Sequence, residues 1–164
     1  MKENKVTFLT QAALIAAVYV VLCIAFAPIS YGEVQVRVAE ALVILPFFTP
    51  AAIPGLFIGC LLSNMIGGSI LIDVVFGSLA TLLGAIGSYY LRRSRILVLF
   101  PPIIANTLIV PFVLRYGYGV PLPIPFMMLT VGIGEVIAVA VLGSILLNTL
   151  VRYRHVLPVT DMQQ

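Results

Sequence analysis

Charge is scarce in this sequence. Only 9% of the 164 residues are Asp, Glu, Lys or Arg, where soluble domains carry roughly a quarter. That shortfall, together with 62% hydrophobic residues and a mean hydropathy of +1.17, excludes an ordinary water-soluble domain. Histidine and cysteine are nearly absent too. The single His155 lies in a polar tail and reads as solvated, and Cys23 and Cys60 both sit inside apolar runs. No metal cluster and no disulfide framework follow from that set, and each Cys reads as a small packing residue. No G-x-x-x-x-G-K-[ST] stretch is present, so the chain does not hydrolyse ATP through a P-loop of its own. Neither H-E-x-x-H nor a Ser-centred elbow occurs, which argues against an enzyme and calls for no cofactor. The net charge of +3 does not indicate nucleic-acid binding, because the basic residues cluster at the ends of apolar segments.

What the chain has is long apolar runs. They lack the alternating polarity of a membrane β-barrel, and lipid leaves helices as the alternative that satisfies the backbone. The expectation is an all-α membrane protein, a single integral domain over 1–164 built as a bundle of six transmembrane helices. Their approximate bounds are 6–27, 36–48, 53–66, 71–91, 96–114 and 124–150, with a tail over 151–164. Segments two and three are short, and together they also fit a re-entrant hairpin. Lys2, Lys5 and Ala25-Phe26-Ala27 imitate a signal peptide, but the run is too long for one and Pro28 follows the apparent cut, so the segment reads as a retained helix. Segment five carries Pro101, Pro102 and Pro111, which predict a bend or break.

Basic residues fall at Lys2 and Lys5, at Arg92, Arg93 and Arg95, and at Arg152 and Arg154. With six crossings and a cytoplasmic N-terminus, all three clusters and the C-terminus lie inside, as the positive-inside rule requires. Loops near 28–36, 67–70 and 116–123 then face outward.

Against this apolar background the few polar residues stand out. Buried ionisable or amide groups in a membrane segment cost several kcal/mol unless they meet a partner or a cavity. Glu135 lies well inside segment six in "LTVGIGEVIAVAV", with Gly132 and Gly134 beside it leaving room for a ligand. Arg37 and Glu40 follow Gln35 at the head of segment two and have the i,i+3 spacing of a helical pair. Asp73 starts segment four, where capping is its plainest role. Asn64 and Asn106 offer both donor and acceptor, the chemistry that reads a heterocycle edge. Glu33 reads as a solvated loop residue. Tyr19, Tyr31, Tyr89 and Tyr90 read as interfacial anchors, and Tyr116 and Tyr118, in the last outer loop with Gly117 and Gly119, as parts of a mobile lid. Helix one carries two small-residue pairs at i,i+4, Ala12 with Ala16 and Ala13 with Ala17, which permit close helix approach.

The blocks "VQVRVAEALVILPFF", "AIPGLFIGCLLSN", "LIDVVFGSLATLLGA" and "LTVGIGEVI", in this order over roughly 8–150, resemble the QueT family of queuosine-precursor transporters. These are substrate-binding S components of energy-coupling factor (ECF) transporters. Val36 departs from the resemblance, standing where a bulkier aromatic residue is expected. The resemblance implies a bacterial cell-membrane subunit that captures a 7-deazaguanine base, aminomethyl or cyano form, from outside. It also implies partners: a transmembrane coupling protein and two ATPases, contacted through an alanine motif matched best by Ala13 and Ala17, with Ala12 and Ala16 adjacent. The binding set it implies is Glu135, Glu40, Arg37, Asn64, Asp73, Asn106 and Gln35. Glu135 or Glu40 would read the guanine edge and Asp73 the amine. The competing expectations are an S component for another vitamin or purine-like ligand, and a stand-alone proton-coupled transporter using Glu135.

Overall fold

A computed structural model describes residues 5–30 and 37–153. Glu33, Gln35 and Val36 lie outside the described residues, as do Tyr31, Arg154 and His155. The described chain is helical, with no strand among its elements. Six helices follow in order: α1 Lys5–Ala25, α2 Val38–Phe47, α3 Ala52–Ile66, α4 Leu71–Tyr90, α5 Leu97–Gly117 and α6 Ile124–Arg152. A single helical turn, Ala27–Ser30, follows α1. Helices α1, α4, α5 and α6 are long and apolar enough to cross a membrane. At about 1.5 Å per residue, α3 with its 15 residues reaches about 22 Å, less than the roughly 30 Å of a hydrocarbon core.

Side-chain bonds fix which ends lie together. Thr49, in the turn between α2 and α3, donates to Gln11 Oε1 of α1 at 2.8 Å. At the other end, Tyr118 just beyond α5 donates to Asp73 at the start of α4. Consecutive helices therefore run antiparallel. Ser88 of α4 donates to the Val98 carbonyl at 2.8 Å and closes the α4–α5 connection.

Small residues set how closely the helices approach. A Cβ on Gly55 would lie 2.7 Å from the Ala12 carbonyl oxygen, and one on Gly59 would lie 2.8 Å from Tyr19 Cβ. The Ala12/Ala16 face of α1 is thus buried against the Gly55/Gly59 face of α3. Ala13 and Ala17 are exposed on the opposite side of α1. Gly84 and Gly87 of α4 meet Pro102 and Pro101 in the same way.

Three helices depart from regular α geometry, and all three carry or adjoin pocket residues. Helix α2 is a 3-10 helix of 10 residues, where runs beyond 3–4 residues are uncommon. Side chains three apart eclipse in this geometry, which sets Arg37, Glu40, Val43 and Pro46 along one buried edge. Helix α6 widens to a π-helix over Val136–Gly143, directly after Glu135. The prolines of α5 do not break it. Pro101 and Pro102 fall in its first α turn, where the missing N–H costs nothing, and the irregularity that follows Pro111 is a π-turn over Val113–Gly117.

Candidate ligand-binding site

Six of the seven polar residues singled out in the sequence lie among the described residues, and all six are buried: Arg37, Glu40, Asn64, Asp73, Asn106 and Glu135. They come from α2 and its first flanking residue, α3, α4, α5 and α6, and converge on one region of the bundle. Gln35 lies outside the described residues.

The bonding inside this cluster is specific. Arg37 does not pair with its helix neighbour Glu40; its ion pair is with Asp73, NH2 to Oδ2, at 3.8 Å. Arg37 NH1 also points at Cys60 Sγ at 3.8 Å. Asp73 Oδ2 accepts from the Tyr118 hydroxyl at 2.9 Å, so this carboxylate serves an ion pair and a loop tyrosine. It does not cap α4, which has no side-chain cap. Glu40 Oε1 accepts from the hydroxyl of Tyr19 and from Thr81 Oγ1 at 3.1 Å. Asn64 Nδ2 reaches the Asp73 carbonyl at 3.5 Å and Cys60 Sγ at 3.7 Å. Gly77 is the space that admits this arrangement, since a Cβ there would stand 2.9 Å from Asp73 Oδ1. Partial burial pushes the Tyr118 phenol above its ordinary pKa, which keeps it a donor at neutral pH.

Three contributors were not anticipated as site residues. Tyr19 is fully buried and is no interfacial anchor; its place on the Ala12–Ala16–Cys23 stripe of α1 was the available signal. Cys60 is more than packing, because its sulfur faces Arg37, Asn64 and Thr81. Thr81 lies two turns along α4 from Asp73 and carried no mark in the sequence. Gly132 does not open space beside Glu135; it abuts Thr107 of α5 on an outer apolar groove.

Much of the cluster's hydrogen-bonding capacity is unused. Arg37 Nε and NH2, Glu40 Oε2, Asn64 Oδ1, Asn106 Nδ2 and Glu135 Oε2 are buried without a hydrogen-bond partner. Buried polar groups are normally satisfied, and each orphan costs roughly 1–3 kcal/mol. The Asn106 amide neighbours both Glu40 and Glu135, yet its nitrogen bonds neither. Arg37, Asn106 and Glu135, with Val110 and Val131, line a small cleft of about 10 Å³, room for about one water. Two larger hollows, about 450 Å³ around Arg115 and Tyr116 and about 420 Å³ between α5 and α6, are open and lined by none of the buried charged residues.

What the arrangement offers is a recognition surface with three acceptors and three donors unspent, enclosed by apolar helices. No group of three or more His, Cys, Asp or Glu residues that would hold a metal occurs among the described residues.

Comparison with known proteins identifies the family. The queuosine precursor transporter QueT of Lactococcus lactis subsp. cremoris (strain MG1363) is 38% identical over 84 residues, covering 50% of this chain and 49% of the relative. The chain is thus matched over about half the length of that curated relative. No solved structure matches. The family profile described as "QueT transporter" matches residues 9–152, nearly the whole helical bundle, and the chain belongs to the QueT transporter family.

Proposed function

We propose that the chain is the substrate-capturing subunit of an ECF-type importer in a bacterial cell membrane, taking up a queuosine precursor, a 7-aminomethyl- or 7-cyano-7-deazaguanine base. The observation that carries this reading is the set of unpartnered buried atoms around the Arg37–Asn106–Glu135 cleft. A guanine-like edge presents N1–H and an exocyclic amine, which a carboxylate accepts together, and a carbonyl that takes a donor. Glu135 and Glu40 supply the first, Asn106 and Arg37 the second, and Asp73 is the counter-charge for an amine. Gln35 belongs to the proposed set through its place before Arg37.

All six helices cross the membrane in this reading, with both termini cytoplasmic, so the end holding Asp73 and Tyr118 faces outside. The cleft then lies in the outer half of the bundle. A transmembrane coupling protein and two ATPases supply the energy. Ala13 and Ala17 form the docking face, supported by their exposure on α1; Ala12 and Ala16 lie on the buried face and act by holding α1 against α3.

Reconstituted uptake tests this. Proteoliposomes holding the chain with its coupling protein and ATPases accumulate labelled 7-aminomethyl-7-deazaguanine only when ATP is inside the compartment of the ATPases. Accumulation by the chain alone, driven by a proton gradient, would instead establish a secondary transporter coupled at Glu135.

A further inference from the structure

The charges in the cluster do not balance. Among the described residues, three carboxylates, Glu40 at 0% exposure, Asp73 at 3% and Glu135 at 5%, share a single guanidinium, Arg37 at 6%. The Arg37 charge lies nearest Asp73, at 3.8 Å. The other titratable groups facing the cluster are Tyr19 and Cys23 of α1, Cys60 of α3 and Tyr118 beyond α5. None of these carries positive charge in any protonation state. The next cation at this end, Arg115, is exposed and occupied by the Val120 carbonyl at 3.0 Å. Glu40 and Glu135 flank the same amide, Asn106, and each leaves one oxygen without a hydrogen-bond partner.

Two like charges buried together do not both ionise; the pair shares protons or takes up a cation. We propose that the empty site carries protons on its surplus carboxylates and that a ligand bearing a protonated amine enters in exchange for one of them. The site therefore selects the aminomethyl base over the neutral cyano base. This rests on the 7-deazaguanine reading above and adds to it a charge requirement and a proton stoichiometry. The exchange conserves charge. An alkylamine is already protonated in water at neutral pH, so the ligand brings one positive charge. As the ammonium settles beside Asp73, Glu40 or Glu135 releases one proton to solvent, and the carboxylate so formed accepts the guanine-edge N–H groups through oxygens that are otherwise unpartnered.

Two measurements on the detergent-purified full chain test this. Calorimetric titration is run at pH 7.4 in phosphate and in Tris, buffers of very different ionisation enthalpy, with the aminomethyl and the cyano base. The expected result is a buffer-dependent heat equal to about one proton released per aminomethyl base bound, with the cyano base weaker by about tenfold or more, the scale of a hydrogen bond to a charged group that it cannot make. Equal affinity for the two bases, or a heat that does not change with buffer, overturns the proposal and leaves the deazaguanine reading intact. The second measurement needs no ligand. Infrared spectra of the empty protein at neutral pH are expected to show a protonated-carboxyl band that loses intensity in Glu135→Gln and in Glu40→Gln. If no such band exists, the proposal fails whatever binds. Should the band be present while neither base binds, the proton-loaded site stands and the deazaguanine reading falls.

Discussion

The hydroxyl of Tyr19, on the first helix, donates to Glu40 Oε1 on the second, and both residues are fully buried. This bond joins the helix that faces the proposed partner to the carboxylate that faces the proposed ligand. Thr81 is the only other hydrogen-bond donor to the same oxygen among the described residues. Tyr19→Phe keeps the ring and removes the donor, leaving a buried carboxylate undersatisfied at a cost of about 1–3 kcal/mol. Thermal unfolding in detergent should move down by several degrees. An unchanged midpoint would mean the bond contributes nothing to the fold.

Helix α1 and helix α3 touch because Gly59 has no side chain. A Cβ there would lie 2.8 Å from Tyr19 Cβ and 3.1 Å from Ala16 Cα, both parts of a rigid helix. Gly59→Val should destabilise by about 1–3 kcal/mol through overpacking and displace Tyr19 from Glu40. Gly59→Ala should be milder. Wild-type stability in both variants would contradict the close approach.

The opposite face of α1 makes a contrasting prediction. Ala13→Leu with Ala17→Leu adds bulk where the side chains are exposed, so unfolding and ligand binding should match wild type. ATP-driven uptake with the coupling module should fall at least tenfold. Full uptake in the double variant would remove this face as the docking site.

Tyr118 and Asp73 join the loop after α5 to the start of α4 at 2.9 Å. Tyr118→Phe removes one hydrogen bond, about 1 kcal/mol net. Bound base should dissociate about fivefold faster in a stopped-flow competition experiment, with little change in folding. A dissociation rate equal to wild type would show that the loop does not close over the site.

The helical class and most of the site were legible because both rest on signals that survive in one dimension. Long apolar runs fix helix type and approximate position. A buried charge in such a run is conspicuous, which is how Arg37, Glu40, Asp73 and Glu135 were found. Partner choice was not legible. Arg37 and Glu40 share the spacing of a helical pair, yet Arg37 stands in extended backbone just before α2 and meets Asp73 on α4, while Glu40 meets Tyr19 and Thr81. Nothing in local sequence predicts a ten-residue 3-10 helix; it depends on how α2 packs against α1, α4 and α6. Tyr19 and Thr81 stayed hidden for a related reason, being ordinary residues whose role comes from what stands opposite them. Gly132 misled because Thr107 of α5 stands against it, which spacing along α6 does not reveal.

Whether the buried polar cluster holds the ligand is decided most directly at Glu135. Purified wild-type protein and Glu135→Gln are titrated with 7-aminomethyl-7-deazaguanine, with unfolding curves recorded for both. The wild type should bind saturably, one to one. The variant should bind at least about tenfold more weakly, the scale of a lost hydrogen bond to a charged group, with the unfolding midpoint nearly unchanged. Equal affinity in the two proteins would place the base elsewhere and contradict the site described.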